Sequence, residues 1–116
     1  MSRLCRFVNW GYNDGMTSKE LQKRIYDNKV KHGFNLTNIE QEFCLLYGEV
    51  GEAYEAWLKK KDKTELGSEL ADIAIFLYGL SEMLDFDLGA EMEKKMTINE
   101  KRVYKDIGGG VKVKAN

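Results

Sequence analysis

The chain has 116 residues, with 18 Lys plus Arg, 19 Asp plus Glu and one His, for a net charge of -1. That length suits one domain with a core of its own. The near-neutral total excludes a dedicated nucleic-acid arm or a polybasic membrane tail.

Residues 1–16 carry Phe7, Trp10 and Tyr12 with two glycines and read as an irregular N-terminal segment. The apolar part of the first eight residues is too short for a signal peptide. Thr17-Ser18-Lys19-Glu20 is a capping box that opens a first helix, running to about Lys31 with Gly33 as its stop. Thr37-Asn38-Ile39-Glu40 opens a second, running to about Lys60. After a lysine-rich turn, a third runs from about Thr64 to Leu84. Asp85 or Asp87 caps a fourth, running to about Tyr104. Residues 106–116, with Gly108-Gly109-Gly110, read as a flexible tail or a lone edge strand. There is no proline to interrupt the helices.

The second helix carries Ile39, Phe43, Leu46, Val50, Ala53 and Trp57, and the third Leu66, Leu70, Ile73, Leu77, Leu80 and Leu84. Both follow a helical spacing, so each should pack against a neighbour along that seam. Ile73 to Leu80 is apolar on nearly every side, more than a lone four-helix protein can bury. The expected fold is therefore an all-α antiparallel bundle of about four helices, oligomerising through the central pair. That run is still far short of the ~18–20 residues of a membrane span. Cys5 and Cys44 make neither a disulfide framework nor a zinc spacing, which fits a reduced, cytoplasmic setting.

The charges are segregated along the chain. Residues 1–36 carry 7 basic and 3 acidic groups, residues 37–93 carry 4 and 14, and residues 94–116 carry 7 and 2. Among the middle acids, Glu49 and Glu52 share a face of the second helix, and Glu69 and Asp72 a face of the third. Each stands one position before a seam residue, within the inward half of its helix. With the turn midway between them, the two pairs can meet at one level of an antiparallel hairpin. Converging carboxylates must take up protons, pair with lysines or hold cations. An all-oxygen set suits Mg²⁺ or Mn²⁺. On the fourth helix, Lys95, Asn99 and Arg102 stand on one face, with Tyr104 just beyond. Such a row can hold phosphate, though a solvated helix face has the same pattern. His32 is the sole histidine, so no nucleophile triad can be built around one.

Glu49-Val-Gly-Glu52 followed by Glu69-Leu-Ala-Asp72 resembles the ExxE…ExxD signature of MazG-like all-alpha nucleoside triphosphate pyrophosphohydrolases. Lys95-Met-Thr-Ile-Asn99-Glu-Lys-Arg102 resembles the K-x3-N-x2-R segment of that family's fourth helix. The resemblance spans roughly residues 17–105. One departure is Gly48, where the family often has another acid. The resemblance implies a dimer, or a dimer of dimers, with sites between subunits. It also implies Mg²⁺-dependent cleavage of an NTP or dNTP to the monophosphate and pyrophosphate. Glu49, Glu52, Glu69 and Asp72 would bind metal and one of them would activate water, while Lys95, Asn99 and Arg102 would hold phosphates. Trp10, Tyr12, Phe34 and Trp57 are candidates to stack on a base. Neither a nucleic-acid polymer nor a membrane is expected as partner. The competing readings are a nucleotide-binding or sensing helical oligomer with little turnover, and a helical oligomer without a ligand. A di-iron bundle would need Glu-x-x-His, which the chain lacks.

Overall fold

A computed structural model describes residues 15–115. It is mostly helical, with four helices and a small sheet. They are α1 (Ser18–His32), α2 (Ile39–Leu58), α3 (Lys63–Met83) and α4 (Leu88–Lys101), followed by strands β1 (Tyr104–Gly108) and β2 (Val111–Lys114). The expected all-α chain thus carries a hairpin where a tail was read. The irregular segment at residues 1–16 lies almost wholly outside the described residues.

The helix boundaries follow from local chemistry. Thr17 and Glu20 form the reciprocal capping box, with Glu20 N donating to Thr17 Oγ1 at 3.0 Å and Thr17 N to Glu20 Oε1 at 2.9 Å. Gly33, at φ 70°, closes α1 in the left-handed conformation that glycine adopts without strain. The second N-cap is Asn38, one residue later than the Thr37 box implies, because the Asn38 side chain reaches Gln41 N at 3.1 Å. Asp62 and Asp87 cap α3 and α4. Of the two aspartates that could open α4, Asp85 instead turns the chain at φ 65°.

α2 and α3 form an antiparallel hairpin, and α1 packs on α3. Only part of the α2 seam is covered: Ala53 is buried and Ile39 and Leu46 are half-buried. The buried positions of α2 are Glu42, Ala53 and Ala56, while Phe43, Val50 and Trp57 stay exposed, Trp57 by 65%. The covered face is therefore shifted from the seam toward the stripe of Glu42, Glu49 and Ala56. On α3 the buried run is Gly79-Leu80-Ser81. Leu70 and Leu77 remain uncovered. Helical rotation places the exposed stripes of α2 and α3 on the same side of the hairpin. Only Ala53, Ala56 and Leu80 are buried apolar residues among those described. The radius of gyration is 17.2 Å, against roughly 13 Å for a compact domain of this length.

α4 is attached mainly at its first turn. Gln22 on α1 is buried. Its Nε2 donates to Glu82 Oε1 (2.9 Å) and to Phe86 O (2.7 Å), and its Oε1 accepts from Leu88 N (3.1 Å). The helix ends at Lys101, short of Tyr104, because Arg102 is already extended at ψ 139°. β1 and β2 then pair antiparallel, Tyr104 opposite Lys114 and Lys105 opposite Val113, with an irregularity at Ile107. The turn is Gly109-Gly110, with φ 63° and 77°. Both central positions need the positive φ that suits a two-residue hairpin loop.

Candidate metal centre

Glu49 lies on the buried side of α2, and Glu69 and Asp72 on the facing side of α3. One carboxylate oxygen from each lies within 4.8 Å of the other two. Glu49 and Glu69 are half-buried and Asp72 is exposed. The two motifs therefore meet at one level, as their distance from the Asp62 turn requires. Burial pushes the Glu49 carboxyl above its ordinary value, helped by a hydrogen bond with Glu52 and by the negative charges of Glu52, Asp72 and Glu69. Glu52 stands outside the three-oxygen group, exposed but in hydrogen-bond reach of Glu49. A Cβ at Gly48 would meet nothing within 4 Å, so space does not demand glycine there.

The donor set fits a small hard cation. Octahedral Mg²⁺ holds oxygens at about 2.1 Å, so two of its ligands lie at most about 4.2 Å apart. The three carboxylate oxygens, within 4.8 Å of one another, would have to close to the roughly 3–4.2 Å spacing of that geometry to share one ion. No lysine or arginine forms an ion pair with Glu49, Glu52, Glu69 or Asp72 among the described residues. Among the described residues the lysine-pairing alternative therefore has no support.

The basic row is placed differently. Lys95 is exposed on α4, and Asn99 is half-buried. Arg102 caps the helix and donates through Nη1 to Asn99 Oδ1 at 3.2 Å. Tyr104 opens β1, so the four do not share a helical face. α4 packs on α1 and α3 but not on α2. Among the described residues no hydrogen bond or ion pair joins this row to the carboxylates. Of the residues proposed to stack on a base, Phe34 stacks on His32 at 5.6 Å, and Trp57 is exposed on α2. Trp10 and Tyr12 lie outside the described residues.

One acid escaped the sequence reading. Glu42 has a side chain only 2% exposed, and Lys29 Nζ donates to its Oε1 at 2.6 Å. Asn35 Nδ2 donates to its other oxygen at 3.0 Å. The pair borders a cavity of about 620 Å³ between α1 and α3, lined in part by Ile25, Phe34, Phe76 and Tyr78. The available signal was spacing: Glu42 lies seven residues, two turns, before Glu49.

Comparison of the chain with protein-family models, with curated proteins and with solved structures finds no match in any of the three.

Proposed function

We propose that the protein is a Mg²⁺-dependent nucleoside triphosphate pyrophosphohydrolase of the MazG-like kind, cleaving an NTP or dNTP to the monophosphate and pyrophosphate. Such an activity would serve nucleotide-pool cleaning or regulation. The observation that carries this reading is the meeting of Glu49, Glu69 and Asp72 from two spaced acidic motifs, with no basic side chain among the described residues paired to them. Mg²⁺ (or Mn²⁺ in its place) would supply charge neutralisation for the polyphosphate and would acidify a water. Glu49, Glu69 and Asp72 would hold the cation, and Glu52, outside that trio and within reach of Glu49, would take the proton of the attacking water. Lys95, Asn99 and Arg102 would bind the phosphate oxygens left uncovered.

The row stands apart from the acids within one chain, so the reading includes a homodimer or homotetramer in which a second copy completes the site. The uncovered stripes Tyr47, Val50, Tyr54 and Trp57 on α2, with Leu70 and Leu77 on α3, support association on that side of the hairpin. No helix of the described residues is long and apolar enough to cross a membrane.

The test is a panel of NTPs and dNTPs with Mg²⁺, reading pyrophosphate against orthophosphate. Pyrophosphate release that EDTA abolishes is the expected result. Binding without turnover would favour the nucleotide-sensing alternative, and full activity in EDTA would sink the metal reading.

A further inference from the structure

The hairpin after α4 is the least supported element of the molecule. Neither strand packs against any of the four helices. A lone two-stranded hairpin is marginal in water and needs a further strand or a helix to cover it. Its two faces differ in chemistry. Val111 and Val113 share one face with Lys105, with Ile107 beside them at the irregularity, and Lys112 and Lys114 share the other with Tyr104 and Asp106. The three apolar side chains are 39–57% exposed. They form an apolar surface that no helix among the described residues covers, carried beyond the end of α4.

We infer that this hairpin is an arm that seats on a second copy of the chain, laying its Ile107, Val111 and Val113 face against the bare α2 stripe of Tyr47, Val50 and Tyr54.

Three observations select a second copy over another partner. The first is charge. Residues 101–115 hold five basic groups and one acid, while residues 37–93 hold 4 basic and 14 acidic ones. Attraction between the arm and the body of another molecule is therefore built in. The second is that the complementary apolar surface is present on the same molecule, yet the hairpin does not pack on it there. The third is size. A stable interface buries about 800 Å² per partner, more than a hairpin of this length offers alone. Two arms exchanged about a twofold axis double the contribution and add to any contact between the α2–α3 faces.

This inference goes beyond the catalytic reading and does not depend on it, because the experiment reads assembly and not turnover. Full-length protein, Ile107→Asp, Val111→Asp and a chain ending at Arg102 are compared by sedimentation velocity over a concentration series. Helix content is checked by circular dichroism. The expected result is that all keep their helices, and that the variants need at least tenfold higher concentration to associate. Amide hydrogen exchange should also rise at residues 47–57 of the truncated chain. Unchanged association in both point variants and the truncation overturns the inference. So does a full-length chain that stays monomeric throughout, or one whose hairpin binds acidic vesicles while the chain remains monomeric.

Discussion

Glu42 and Glu49 occupy the same stripe of α2, two turns apart, and have opposite surroundings. Glu42 is buried, paired with Lys29 and hydrogen-bonded by Asn35. Glu49 is half-buried among three other carboxylates, with no cation among the described residues paired to it. The first charge is satisfied by the fold, and its work is to fasten α1 and the following loop to α2. The second is left unsatisfied at a cost in stability, which is expected where binding energy is to come from a ligand. Sequence position alone treats the two alike, and only the partner on another helix separates them.

The largest effect should come from breaking the satisfied member. Lys29→Met leaves Glu42 buried without its cation, and should cost about 3–5 kcal/mol in chemical denaturation. Lys29→Met combined with Glu42→Leu should recover much of that loss. Next is the unsatisfied cluster. Asp72→Asn or Glu52→Gln should lower Mg²⁺-dependent pyrophosphate release by roughly 10²–10³-fold while leaving the melting temperature near that of the parent. Glu42 offers no such separation, since its loss would remove stability and activity together.

A smaller effect is expected from the metal itself. Mg²⁺ at about a hundred times its Kd should stabilise the parent by roughly 2.7 kcal/mol, read as a rise in Tm, and should do far less for Asp72→Asn. No Mg²⁺ shift in the parent would remove the contrast between the two acids. The smallest concerns Glu49 without metal. Its folded pKa is raised above the ordinary 4.5, so the folded state binds its proton more tightly than the unfolded one. That contribution to stability is present below about pH 4.5 and is lost as pH rises through the raised value. Glu49→Gln should therefore raise the metal-free Tm at pH 7. The gain should vanish below about pH 4.

What could be read from the residues was whatever depends on near neighbours in the chain. The Thr17–Glu20 box, the Gly33 stop and the Asp87 cap are contacts within three or four residues, so composition and order suffice. The meeting of Glu49 with Glu69 and Asp72 was also legible, because a short turn fixes the level at which an antiparallel pair aligns. The rotation of α2 was not. Its seam gives a stripe but not which neighbour takes it. The structure covers Ala53 of that seam together with Ala56 beside it, and leaves Val50 and Trp57 outside. The lysine opposite Glu42 lies 13 residues earlier on another helix, beyond any local pattern. At the C-terminus, Val111-Lys-Val-Lys114 does alternate as a strand should, but the three preceding glycines read equally as release into a tail. Of the row drawn on the fourth helix, Lys95 and Asn99 stand on α4 and Arg102 at its C-cap, bonded to Asn99, while the extended backbone at Arg102 puts Tyr104 on the hairpin.

Gln22 bears on movement as well as on packing. Its single side chain ties the end of α3, the connecting turn and the first amide of α4. Beyond that tie α4 extends 14 residues, about 21 Å at 1.5 Å per residue. It is a lever fixed at one end. A tilt of about 10° at the Gln22 amide would sweep Arg102 and the hairpin through roughly 4 Å, so one buried side chain sets the aim of everything the C-terminal arm carries.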